Sequence, residues 1–164
     1  MKIRTGIFTI VSAAIALITL TACGGGAAGP SYDPESPEGE AQMYRNSVME
    51  LARQKSGMLI AMANEEIEVD EAAFVQAAAD LAALAAMMPA GFENQTLVDE
   101  SRTDPAVFDN WDDFESKFEA LIDATADLAA TAENGGFAAA QGMVRTATGN
   151  CGNCHRPYRL AEAE

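Results

Sequence analysis

The sequence predicts an all-α protein, an antiparallel up-down four-helix bundle, and three observations carry that prediction. Hydrophobic residues make up 49% of the 164 residues, and Ala is abundant among them. Val, Ile, Thr and aromatic residues are sparse over the later two-thirds of the chain, which favours helix over sheet. Apolar residues recur at three-to-four spacing in four stretches separated by turn and stop signals. Four helices with short connections pack as antiparallel neighbours.

The first residues stand apart from the fold. Lys2 and Arg4 give a positive start, and Ile7 to Leu20 is an uncharged apolar run. That run falls short of the ~20 residues a membrane span needs, so residues 1–22 read as a secretory signal peptide, with a retained anchor as the alternative. Leu20-Thr21-Ala22-Cys23 resembles the lipobox of bacterial lipoproteins. The resemblance implies cleavage before Cys23, a diacylglycerol on its thiol, and a periplasmic protein held at a membrane surface. Ordinary signal peptidase cleavage is the alternative, which Leu20 fits poorly. Residues 23–38, with the run GGGAAGPSYDPESPE, read as a flexible linker that cannot bury enough apolar surface to order itself.

Residues 39–164 read as the folded domain. The first helix spans about Gly39 to Asn64, with Val48, Leu51, Met58 and Met62 on one row and Met49, Ala52 and Leu59 on a second. The second begins near Asp70, a capping residue, and carries Phe74, Ala77, Ala78, Leu81, Leu84 and Ala85 before Pro89 stops it. Residues 89–103 read as an irregular polar loop. Asp104-Pro105 opens a short helical turn. The third helix runs from about Trp111 to Glu133, with Phe114, Phe118, Leu121, Ile122, Thr125 and Leu128, and Asn134-Gly135-Gly136 ends it. The fourth runs from Phe137 to the C-terminus, weakened by Gly142, Gly149, Gly152 and Pro157.

Charge and titratable residues exclude several functions. Ten Lys and Arg against 25 Asp and Glu give a net charge of −15, so the chain repels phosphate backbones and no nucleic acid partner is expected. A single His excludes any site that needs two histidines from one chain. That His stands in Cys151-Gly152-Asn153-Cys154-His155, a C-x-x-C-H sequence, the attachment motif of c-type haem. On a helix, residues three and four apart share a face. Cys151 and Cys154 can both reach vinyl groups on one porphyrin edge, and His155 presents its imidazole to the iron. One covalent haem c per chain is the cofactor expected. A zinc site lacks ligands, a thioredoxin-type pair belongs after a strand, and a plain disulfide leaves His155 unexplained.

Further residues carry a resemblance to the class II c-type cytochromes, the cytochrome c′ family, whose haem motif also lies near the C-terminus. Tyr158 and Arg159 continue the motif as C-x-x-C-H-x-x-Y-R. Tyr44, Arg45 and Met49 resemble the Y-R-x-x-x-[LM] of the family's first helix. Pro105-Ala106-Val107-Phe108, then Phe114, resembles its P-x-[IV]-W segment, with Phe108 in place of Trp and Asn46 where Gln is common. The resemblance implies that Arg45 pairs with a haem carboxylate and that Asn46, Phe114 and Arg159 contact the haem. It places Met49 over the distal face of the iron, as a shield or an axial ligand opposite His155. It also implies a homodimer through the first two helices.

These readings combine into an extracytoplasmic haem protein for electron transfer, for binding small gases such as nitric oxide or carbon monoxide, or for both. A six-coordinate low-spin carrier with Met49 as ligand is one alternative, and a haem enzyme detoxifying nitric oxide is another. The latter needs a distal acid–base group, and the one His is committed to iron, so no enzyme is expected. The acidic surface favours a redox partner with a basic face.

One prediction belongs to the N-terminus. A diacylglycerol supplies two acyl chains, enough for stable anchoring. Cys23→Ser is expected to move the protein from the membrane to the soluble fraction, or to block its processing. Soluble wild-type protein with an unmodified Cys23 would remove the anchor.

Overall fold

A computed structural model describes residues 30–161. The segment read as a signal peptide, Cys23 and the start of the stretch read as a linker lie outside the described residues. The described residues form six α-helices: α1 Pro37–Ala63, α2 Glu71–Met87, α3 Ala106–Asp109, α4 Trp111–Ala140, α5 Val144–Gly149 and α6 Cys151–Tyr158. Together they form the up-down four-helix bundle, with α1, α2 and α4 as three arms. The fourth arm is the broken series that follows Gly136.

Local chemistry explains each start and stop. Ser36 caps α1 by accepting from the Gly39 amide at 3.1 Å, with Pro37 at the first helical position and Glu38 and Glu40 in the first turn. The helix therefore takes in Pro37 and Glu38 from the stretch read as linker. Asp70 caps α2 through the Ala73 amide at 3.0 Å. The α-helix ends at Met87, just before Pro89, as expected. The chain tightens into a 3₁₀ turn over Met88–Phe92, where Pro near the start costs no hydrogen bond.

Gly136 breaks α4 at φ 65°, ψ −163°, backbone that residues with a Cβ rarely adopt. A Cβ there would also overlap the Glu71 carboxylate. That carboxylate accepts from the Phe137 amide at 2.9 Å, so the first residue of α2 caps the restarting helix. The Phe137 ring then meets Phe74 edge-on at 5.0 Å.

The fourth arm departs from the single helix expected. After Ala140 it narrows to a 3₁₀ turn over Gln141–Met143, resumes as α5, steps at Asn150 and continues as α6. It does not reach the C-terminus. Arg159 turns extended (φ −116°, ψ 117°) and forms an antiparallel bridge with Thr103. The Asp104 amide donates to the Tyr158 carbonyl at 2.9 Å, and the Leu160 amide to the Arg102 carbonyl at 2.8 Å. Pro157 weakens the last helical turn, and these cross-chain bonds replace the helical ones.

The core differs from the expected pattern in α1. Leu51 and Met58 are 47% and 40% exposed, while Val48, Ala52, Leu59 and Met62 are buried. The inward face begins with two polar residues, Gln42 and Arg45, which are buried because they have partners. A hydrophobicity pattern skips them and misplaces the face. Leu59, Phe74, Leu81 and Leu128 are the large side chains at the centre, where α1, α2 and α4 meet.

Leu59→Ala is expected to cost about 2–5 kcal/mol, because a buried leucine leaves a cavity. Ile67→Ala, at an exposed position, should stay within about 0.5 kcal/mol. Denaturant unfolding of the holoprotein measures both.

Candidate haem site

Among the described residues the bundle leaves a cleft of about 750 Å³, bordered by α1, the 3₁₀ turn, α4 and α6. Its size falls within the ~300–1,000 Å³ usual for cofactor sites. Its inner wall is apolar, with Met49 and Ala52 from α1, Phe92 from the turn, and Phe114 and Phe118 from α4. Its rim carries more cations than anions, with Glu50, paired to Arg53, and Glu100 as its carboxylates. Four of the eight Lys and Arg in residues 30–161 line it: Arg45, Arg53, Arg102 and Arg159. In a chain of net charge −15, such clustering marks a place for an anionic, largely apolar ligand.

Cys151, Cys154 and His155 reach this cleft from α6. Their three- and four-residue spacing puts them on one helical face. Both thiols are free and half-buried against the core. Burial pushes the Cys151 thiol up, and it pushes Cys154 up to about 11, so both sulfurs stay protonated near neutral pH. His155 is held below its usual range, first by burial and then by Arg159 and Arg102. A neutral imidazole with a free lone pair is the metal-binding form. Among the described residues no group of three or more His, Cys, Asp and Glu could hold a metal ion. A metal beside His155 therefore needs most of its ligands from a macrocycle.

Arg45 tests whether the cleft suits such a group. Its guanidinium is buried, at 5% exposure. Nη1 donates to the carbonyls of Gly91 at 2.7 Å and Thr96 at 3.3 Å, and Nη2 donates to Gln42 Oε1 at 3.0 Å. The Phe92 ring lies beneath it, 5.4 Å from the guanidinium carbon. Nε is buried without a partner, and no carboxylate pairs with Arg45 among the described residues. A buried cation with an orphaned N–H at a cleft rim fits a ligand carboxylate, bound side-on through Nε and Nη2. Gly91 permits this placement, because a Cβ there would stand 2.8 Å from Arg45 Cγ.

The structure brings every haem residue expected from the sequence to this one cleft. Met49 is half-buried in its wall, one helical turn beyond Arg45. Asn46 is exposed at the rim and accepts from Gln42 Nε2 at 2.9 Å, so Gln42 ties Asn46 to Arg45. Phe114 is both wall and core, with rings of Phe118 at 4.7 Å, Phe92 at 5.0 Å and Tyr158 at 5.3 Å. Arg159 lies exposed at the rim beyond His155.

Sequence reasoning missed four contributors. Gln42, three residues before Arg45, carried a helical-spacing signal that went unused. Phe92 sat in a segment read as polar loop. Arg102 lay in that same loop. Asp113 stands in sequence as one acid among several before the third helix, yet it accepts from the Tyr158 hydroxyl at 2.5 Å and from Lys117 Nζ at 2.7 Å.

Known proteins resemble this chain in sequence and in fold. The family model described as Cytochrome C′ matches residues 40–159. Cytochrome c-554 of Cereibacter sphaeroides is 34% identical over 119 residues, covering 70% of this chain and 77% of that protein. Cytochrome c′ of Halomonas halodenitrificans is 31% identical over 126 residues, covering 73% of this chain and 96% of that protein. The fold also matches the nitric oxide complex of a cytochrome c′ mutant from Alcaligenes xylosoxidans. That match has a TM-score of 0.68 at 23% identity, covering 75% of this chain and 95% of that one. The chain belongs to the cytochrome c′ family, and its prosthetic group is one covalently attached haem c.

Proposed function

We propose that this cytochrome c′ binds small uncharged gases at its haem iron and exchanges electrons there, outside the cytoplasm. The observation that carries the reading is the position of Met49. It stands half-buried in an apolar wall on α1, while the Cys154–His155 pair enters the same cleft from α6. Bound in the cleft, haem supplies an iron that can change oxidation state or take a diatomic ligand. Cys151 and Cys154 carry the thioethers and His155 holds the iron. Arg45 meets one haem carboxylate, with Asn46 beside it through Gln42. Phe114 packs against the macrocycle, and Arg159 covers the rim near His155. Met49 shields the distal side and excludes water and anions, leaving room for a diatomic gas. The nitric oxide complex of the Alcaligenes xylosoxidans protein supports the gas reading.

The chain acts by binding and redox change rather than as an enzyme, because its one imidazole is at the iron. The signal-like segment and Cys23 support a periplasmic, lipid-anchored protein. Net charge of −15 supports a redox partner with a basic surface. Met43, Leu51 and Met58 leave exposed sulfur and methyl groups along one side of α1, which supports a homodimer there. At this charge, self-association should strengthen as salt rises.

Two predictions test the proposal. Acid–acetone should fail to extract the haem, mass spectrometry should find one haem per chain, and His155→Ala should abolish the native spectrum. The ferric protein should be high-spin, and the ferrous protein should bind carbon monoxide. Met49→Ala should then speed gas binding by about tenfold, a change of about 1.4 kcal/mol in the access barrier, and leave the potential nearly unmoved. A ferric near-infrared band from Met-to-iron charge transfer, with a ferrous spectrum indifferent to carbon monoxide, would instead make Met49 the sixth ligand.

A further inference from the structure

The helix that carries the haem cysteines is short, and its last turn lacks one backbone hydrogen bond. Pro157 sits inside α6 and has no N–H to give the Asn153 carbonyl. At the end of that turn the Arg159 amide donates to the His155 carbonyl at 3.2 Å. The turn that includes His155 therefore has one backbone bond fewer than a full helical turn.

Tyr158 compensates from the side. It is the one buried residue of α6, and its ring lies edge-on to Phe114 at 5.3 Å and 82°. Its hydroxyl donates to Asp113 Oδ2 at 2.5 Å, reaching across to the first turn of α4. The other carboxylate oxygen, Oδ1, accepts from Lys117 Nζ at 2.7 Å, one turn further along α4. Asp113 is thus fixed from both sides, and α6 is fastened to α4 through it. Tyr158 itself lines the cleft beside Cys154 and His155.

We propose that Asp113 is a positioning residue of the haem site: through Tyr158 it sets the seat of the haem-bearing helix, and with Lys117 it balances charge at the cleft. The proposal rests on haem seated in this cleft with His155 at the iron. Two physical effects follow, and they separate cleanly. The Asp113–Tyr158 hydrogen bond fixes geometry. Nearby negative charge favours oxidised iron and nearby positive charge favours reduced iron. The Asp113–Lys117 pair leaves little net charge while both members are present. Removing either one exposes the other, so the two removals act in opposite directions. The pair is partly exposed, so salt screens the effect.

Spectroelectrochemical titration of the holoprotein at low salt tests the charge balance. Asp113→Asn, which keeps an acceptor for Tyr158, is expected to raise the midpoint potential. Lys117→Met is expected to lower it, and both shifts should shrink in 1 M salt, where the Debye length is about 3 Å. A merely structural role moves both variants the same way or neither, and either result overturns the charge role. Positioning is read from the Soret circular dichroism of Tyr158→Phe, Asp113→Ala and the double variant. The double variant should show no more change than either single one, because both break the same bond. Additive changes, or none, overturn the positioning role. Should Asp113→Ala fail to mature with haem, Asp113→Ser takes its place in the cycle. Failure of the site itself looks different, because wild-type protein would then carry no covalent haem.

Discussion

Two thiols and one imidazole must face one side of one short helix, and that helix must be held against the bundle although Pro157 deprives it of a backbone hydrogen bond. Much of the structure around the site answers to that constraint. The chain leaves α6 as an extended segment paired with residues 102–104, which takes up the carbonyls and amides the helix no longer serves. Tyr158 turns inward to Phe114 and Asp113, so α4 supplies the rigidity that α6 lacks. The aromatic cluster of Phe92, Phe114, Phe118 and Tyr158 forms a stiff apolar wall behind this junction. Aromatic rings in edge contact add order beyond the area they bury.

The opposite side of the cleft depends on a buried charge. Arg45 is out of water with no carboxylate of the described residues beside it, a costly arrangement unless something else compensates. The Gly91 and Thr96 carbonyls, Gln42 and the Phe92 face compensate in part. The 3₁₀ turn after α2 exists in the right place because it brings Gly91 and Phe92 under the guanidinium. Pro89 ends α2 and starts the chain into that turn. The remaining N–H at Nε is buried without a partner, which suits a ligand carboxylate.

The cleft joins these two sides with little freedom. Apolar rings, one thioether side chain and a cationic rim suit a flat molecule with an apolar body and acidic edges. The acidity of the remaining surface sharpens the contrast, since half of the cations in residues 30–161 are spent at this opening. Met49 and Arg45 lie one turn apart on α1, so one helix supplies both a cation and an apolar side chain to the cleft.

Much of this was legible in the chain itself. Helical spacing, Ala abundance and the caps at Asp70 and Gly136 specify a four-helix bundle, because local hydrogen bonding and packing period act over a few residues. C-x-x-C-H specifies covalent haem, because its chemistry lies within one helical turn. Arg45, Met49, Phe114 and Arg159 were legible only by resemblance to a family. Other features belonged to the tertiary structure alone. The inner face of α1 could not be found from hydrophobicity, because Gln42 and Arg45 are buried by partners 46 and 51 residues away as well as by each other. Phe92 looked like loop because its burial depends on α4. Asp113 looked like one acid among several, and only the packing of α6 on α4, 45 residues apart in sequence, joins it to Tyr158. Chain-local forces determined which helices form and where the haem attaches, whereas contacts between distant segments decided how the cleft is walled, charged and held.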